Sequence, residues 1–134
     1  MRVLVDTSVW SLALRRATDK IHPAAAELKK LIANHIVEII GPIRQELLSG
    51  VRDKKQFARL ESTLDAYPDL PLASKDYVLA AKFFNLCRSK GIQGSNTDFL
   101  ICAVAVRGDL AIFTTDLDFR QYRKHLPISL YAVT

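Results

Sequence analysis

Apolar and polar positions follow two rhythms along this chain. Short, nearly continuous apolar runs occur at Arg2–Val5, Ile36–Ile40, Ala111–Thr115 and Ile128–Tyr131, each bounded by turn or polar residues. Runs of that length and bounding predict buried strands. Proline-flanked Leu70–Ala73 reads as one more short strand.

Between the strands the apolar period lengthens to that of a helix. After Asp6-Thr7-Ser8, Val9, Leu12 and Ala13 share a face up to about Arg16. His22-Pro23 opens a second helix carrying Ala25, Leu28, Leu31 and Ile32. Pro42 suits the first turn of a third, where its missing N–H costs nothing; this helix holds Glu46 and stops near Gly50. Asp53–Ala66 reads as a helix with Phe57, Leu60 and Leu64 inward. Ser74 caps a long helix with a stripe of Tyr77, Ala81, Phe84 and Cys87. Ser95 begins a strongly apolar helix through Val106 that Gly108 terminates, and a short helix covers Asp118–Lys124.

Strands that alternate with helices and carry few polar residues predict a parallel sheet covered on both faces. The expected fold is therefore α/β: a single three-layer domain over residues 1–134, with a mostly parallel sheet of four to five strands flanked by helices. A chain of 134 residues is long enough to bury one such core and too short for two. No apolar run approaches the roughly 20 residues that cross a bilayer. Asp6 also comes too early for a signal peptide, so a cytoplasmic chain with no membrane partner is expected.

Composition narrows the chemistry. Cys87 and Cys102 sit among apolar residues without metal-ligand spacing, as reduced core residues do. His22, His35 and His125 are scattered. The net charge of +5 and a pI near 9.4 raise the prospect of an anionic partner such as nucleic acid.

The acids carry more. In open parallel sheets, ligands sit beyond the carboxyl ends of the strands. Asp6 ends the first strand, Asp116 and Asp118 follow the strand near 111–115, Glu46 lies one turn inside a helix that follows a strand, and Asp98 lies in the first turn of the helix begun by Ser95. Each alone has a plainer use: Asp6, Asp98, Asp116 or Asp118 as a helix cap, Glu46 as an exposed helical acid. Together they converge on one end of the sheet. Two carboxylates about 5 Å apart repel by roughly 3 kcal/mol at an effective dielectric near 20. With no basic residue among their neighbours, a divalent cation is the natural partner, and hard oxygen donors favour Mg²⁺ or Mn²⁺. Outside Asp6, Glu46, Asp98 and Asp116, ten acids face nineteen lysines and arginines, a surplus of nine. That basic body suits a phosphate-bearing substrate. Arg15, Arg16, Arg44, Arg52, Lys54, Lys55, Arg88 and Lys90 are candidate phosphate contacts.

"VLVDTSVW", "PIRQELLSG", "NTDFLICAVAV" and "FTTDLDF" stand in the order and spacing of the PIN-domain nucleases, and the whole chain resembles their small VapC-type toxins of type II toxin–antitoxin pairs. The resemblance implies a Mg²⁺- or Mn²⁺-dependent endoribonuclease with an acidic centre of Asp6, Glu46, Asp98 and Asp116. Asp6 and Asp98 would hold the metal, Glu46 and Asp116 would complete its surroundings, and Asp118 would be a fifth, peripheral acid. Thr114 would supply the hydroxyl of a Thr-x-Asp element, and Ser8 would orient Asp6 or a water. It further implies cleavage by activated water to a 5′-phosphate and a 3′-hydroxyl, a small antitoxin partner and a homodimer. The helices near 22–33 and 53–66 are where a groove for that antitoxin, or a dimer face, is expected. Two rivals stay open on the residues: Mg²⁺-dependent phosphotransfer on an aspartate, and a nucleic-acid-binding module without catalysis. The first lacks a second aspartate after Asp6-Thr7-Ser8 and a lysine after the 111–115 strand; the second predicts RNA binding that survives chelation.

Overall fold

In the computed structural model, which describes residues 1–14 and 21–133, the chain runs β1 (Val3–Val5), α1 (Thr7–Leu14), α2 (Pro23–Ala33), β2 (Val37–Glu38), α3 (Gly41–Leu48), α4 (Lys54–Leu64), α5 (Ser74–Ser89), α6 (Asn96–Gly108), β3 (Ala111–Phe113), α7 (Asp118–Arg123) and β4 (Ser129–Leu130). The four strands form one sheet in the order β2-β1-β3-β4, and every pairing is parallel. Every side chain of β1 and β3 is buried. Strands so buried need cover on both faces, which the helices supply as outer layers. The sheet reads as one α/β domain. No helix among the described residues is long and apolar enough to cross a membrane.

α6 is the keystone of the core. Phe99 through Ala105 are all buried, so the helix is apolar around its whole girth and has no solvent face along those two turns. Its last residue is Gly108, but the left-handed turn that ends it falls one residue later, on Asp109 at φ 53°. Short polar side chains tolerate that conformation, so the expected glycine stop is displaced by one position. Cys87 and Cys102 are buried and unpaired, and burial raises both thiols above their ordinary range. His22 caps α2, its Nδ1 accepting from the Ala24 amide at 3.0 Å.

Three helical expectations are corrected. α5 buries Asp76, Ala80, Phe83 and Cys87, and Tyr77 is 53% exposed. The inward face is turned by one residue because Asp76 is itself buried, accepting from Arg107 Nη1 at 2.6 Å and from the Ala73 amide at 2.8 Å. An apolar period cannot register a buried acid. The cap of α5 is likewise Ala73 with Asp76 reaching back, and Ser74 is the first helical residue. α4 buries Leu64 alone; Leu60 is half-buried and Phe57 lies on the surface. The end of the helix expected at Arg16 lies outside the described residues.

The strand expected over Leu70–Ala73 does not form. The chain touches the sheet there only through a parallel bridge of Asp69 to Ile39, with the Leu70 amide donating to the Ile39 carbonyl at 2.8 Å. Arg44 explains why this segment needs no ladder. Its guanidinium donates to the Leu64 carbonyl at 3.0 Å, to the Tyr67 carbonyl, and to Asp69 Oδ1 at 2.9 Å. It therefore pins the end of α4 and the following turn onto α3, and it is a structural residue, not the phosphate contact expected from its charge. The ion pair with half-exposed Asp69 adds little in water; the two carbonyls carry the contribution. Replacing Arg44 by Ala is expected to cost about 2 kcal/mol, in the range of charge-assisted hydrogen bonds, and to lower the urea midpoint without changing its slope. A midpoint equal to the parent's would refute the assignment.

Candidate active site

β1 lies between β2 and β3, so the chain leaves β1 toward one side of the sheet and returns on the other. Crevices at such a switch point, beyond the carboxyl ends, are where open α/β sheets place ligands. Val5 pairs with Phe113 and the Asp6 amide donates to the Phe113 carbonyl at 2.8 Å. Parallel registry thus sets Asp6 beside Thr114, although 108 positions separate them.

Two hydroxyls fix the Asp6 carboxylate. Thr114 Oγ1 donates to Asp6 Oδ2 at 2.7 Å and Ser8 Oγ donates to the same oxygen at 3.0 Å. Each hydroxyl also accepts one backbone N–H: Thr115 to Ser8 at 3.1 Å, Asp116 to Thr114 at 3.0 Å. Every proton in the cluster is accounted for, and Asp6, only 6% exposed, is held in one orientation. Its side chain therefore does not cap α1. Its carbonyl does that work, accepting from the Val9 and Trp10 amides.

Asp98, Asp116 and Asp118 each bring one carboxylate oxygen to within 4.8 Å of the others. Ser95 caps α6 by accepting the Asp98 amide at 3.0 Å. The Asp98 carboxylate accepts the Tyr122 hydroxyl at 2.6 Å. Burial raises the Asp98 carboxyl above the usual range, hydrogen bonds from Tyr122 and Ser95 oppose this, and the charges of Asp6 and Asp116 push it further up. The Tyr122 hydroxyl is also pushed up, first by burial and then by Asp98, so it remains a proton donor. Asp116 Oδ1 accepts the Asp118 amide at 2.9 Å, an Asx turn that starts α7. Glu46, exposed on α3, joins through Thr7, whose Oγ1 donates to Glu46 Oε2 at 3.1 Å.

All the sequence-predicted acids thus gather at this end of the sheet, but in a different grouping. Asp118 stands with Asp98 and Asp116 in the tightest trio, whereas Glu46 is tethered at the edge. Sequence reasoning missed Thr7, Tyr122 and Gly94. A Cβ added at Gly94 would meet Phe99 Cε2 and Tyr122 Cζ at 2.8 Å each, so the glycine makes room for the ring that holds Asp98. One signal was available for Tyr122: it follows Asp118 by four positions, on the same helical face. Of the expected phosphate contacts, Arg15 and Arg16 lie outside the described residues. Arg52, Lys54, Lys55, Arg88 and Lys90 are exposed, and no hydrogen bond or ion pair among the described residues joins them to the acids.

The trio has no cationic partner among the described residues. Oxygen donors at this spacing, crowded enough to raise one of their own carboxyls, fit a hard divalent cation.

A model of the PIN domain matches residues 3–125. The chain belongs to the PIN domain family. Two curated relatives, the VapC ribonuclease Mb1587 of Mycobacterium bovis and the ribonuclease VapC11 of Mycobacterium tuberculosis, are each 34% identical to it over 121 residues, covering 87% of this chain and 88% of theirs. Among solved structures, VapBC2 from Rickettsia felis bound to a promoter DNA fragment superposes with a TM-score of 0.78 at 17% identity, covering 98% of both chains. FitAcB from Neisseria gonorrhoeae gives 0.75 at 21% identity, covering 97% of this chain and 96% of that one. At those identities the likeness is one of fold, and it places the β1–β3 crevice of this PIN domain in a shared architecture.

Because Gly94 abuts Tyr122, Gly94→Ala is expected to destabilise this PIN domain by about 1–3 kcal/mol through overpacking, read as a lowered melting temperature. Tyr122→Phe, which keeps the ring and loses only the hydroxyl, is expected to cost about 1 kcal/mol. An alanine at position 94 that leaves melting unchanged would show that the close approach constrains nothing.

Proposed function

We propose that this PIN domain is a Mg²⁺- or Mn²⁺-dependent endoribonuclease, the toxin of a toxin–antitoxin pair, with residues 1–134 acting as one nuclease unit. The observation that carries the reading is the trio of carboxylates at the switch point of the sheet, with no cationic partner among the described residues, in a chain 34% identical to VapC ribonucleases. Asp6, Asp98, Asp116 and Glu46 are assigned as the catalytic and metal-holding acids, with Asp118 beside them. A divalent cation bound there would lower the pKa of a coordinated water and neutralise charge on the phosphoryl oxygens.

The chain's own residues supply the rest. Ser8 and Thr114 hold Asp6 in a single rotamer. Tyr122 orients Asp98 by donating to Oδ2, which leaves Oδ1 for the ligand. Thr7 draws Glu46 toward the crevice. With water as nucleophile the substrate's own 2′-hydroxyl is not consumed, so preference for RNA rests on shape and on contacts to unpaired bases. The products are a 5′-phosphate and a 3′-hydroxyl.

The same reading assigns a cytoplasmic location, a homodimer and a small antitoxin partner. The open face of α4 supports the last of these: Phe57 is exposed there, and a cavity of about 370 Å³ lies alongside, lined in part by Leu14, Val51 and Leu60.

Asp98→Asn is expected to lower cleavage of single-stranded RNA by at least the about hundredfold seen when even an outer-shell partner of a metal is lost. In chelator the same variant is expected to melt at the parent's temperature or about 2–4 °C higher, because one of several crowded charges is gone. A variant that still cuts, or one that unfolds, favours a capping role for Asp98. EDTA is expected to stop cleavage by the parent and Mn²⁺ to restore it; activity that persists in chelator would sink the metal assignment.

A further inference from the structure

A cavity of about 400 Å³ lined from α7 and the end of β4 shares Thr114 and Asp116 with the acidic site. Thr114 and Asp116 form the wall shared with the acids, and Arg120, Arg123, Leu117 and Tyr131 form much of the remainder. The register of α7 dictates this lining. Phe119 and Tyr122 are fully buried, and Tyr122 is further fixed by its bond to Asp98. Each arginine follows one of these anchors by a single residue, so both are rotated about 100° away from the core and emerge on one side, three positions apart. Neither makes an ion pair or a side-chain hydrogen bond among the described residues. Leu117, at the mouth, is 65% exposed.

We infer that Arg120 and Arg123 form a phosphate subsite that positions the RNA strand by holding a backbone phosphate next to the one being cleaved. The inference rests on the nuclease reading and adds the substrate-positioning residues that the acids themselves cannot provide. A polynucleotide carries phosphates at regular intervals, so a strand with one phosphate among the acids must place a neighbour close by. The cavity that shares Asp116 and Thr114 with the acids is where guanidinium forks await it, and planar guanidinium matches phosphate oxygens in pairs. Exposed Leu117 at the mouth offers an apolar surface to an adjacent base. The plainer account, two solvated cations in the last turn of α7, assigns them nothing more than a small effect on that helix.

The test compares the full chain with the Arg120→Gln/Arg123→Gln double variant on a labelled single-stranded RNA in Mn²⁺, across a range of NaCl. The subsite predicts KM raised about tenfold and kcat within about twofold. Each phosphate neutralised on a single strand contributes about 0.7 to the salt slope, so loss of this one phosphate is expected to make the slope shallower by about 0.7. Melting should be unchanged. Arg120→Lys/Arg123→Lys keeps the charge and is expected to recover the slope but only part of KM. Equilibrium binding of the same RNA is measured in parallel with Asp98→Asn and with Asp98→Asn carrying both glutamines, so the outcome does not depend on cleavage. A parent that cuts while the glutamine variant keeps KM and slope overturns the subsite and spares the nuclease. A parent that never cuts sinks the nuclease reading, and unchanged binding by the glutamine pair then sinks the subsite as well. Retained RNA binding with lost capture of an acidic protein partner would also overturn it.

Discussion

The hydrogen bonds from Ser8 and Thr114 to one oxygen of Asp6 are the constraint on which this molecule turns. They close the two central strands of the sheet at their carboxyl ends, and they do so with side chains rather than ladder bonds. β1 and β3 are only three residues long, too short for a rigid ladder by themselves. The hydroxyl–carboxylate knot extends their pairing past the last backbone bond, into the region where the acids sit. Fold and site are thus continuous: the same atoms that finish the sheet begin the crevice.

Negative charge is tolerated in that crevice by unequal treatment of the acids. Asp6 is buried and bound twice. Asp98 is half-buried, with a tyrosine donor on one oxygen and raised by its surroundings. Asp116 gives one oxygen to the Asx turn, and Glu46 stays in water with a single tether. Each acid has just enough protein contact to fix its direction, and none has a cation of the protein's own among the described residues.

Much of this was legible beforehand because it depends on period and position. The strand runs other than Leu70–Ala73, the proline opening α3 and the serine before α6 each act locally, and the structure keeps them within a residue or two. The acids were legible because element ends are readable and sheet topology brings the ends together. What escaped depends on partners far along the chain. The inward face of α5 is set by Asp76 meeting Arg107, thirty-one residues away, and the path after α4 by Arg44 reaching the carbonyls of Leu64 and Tyr67. The significance of Tyr122 and Gly94 is a mutual contact that no local pattern encodes. That Asp118, and not Glu46, stands nearest Asp98 and Asp116 escaped as well, since loop length alone does not say which carboxylates become neighbours.

The ring that holds Asp98 is also a stone in the interior. Phe84, Phe99, Tyr122 and Phe119 touch in sequence, with centroids 5.6, 4.9 and 5.1 Å apart, so an unbroken aromatic column runs from α5 to the crevice. Neutral drift in this column is therefore constrained from both ends. A substitution that interior packing would forgive shifts the aim of a carboxylate, and lineages that diverge there must retune core volume and chemistry together.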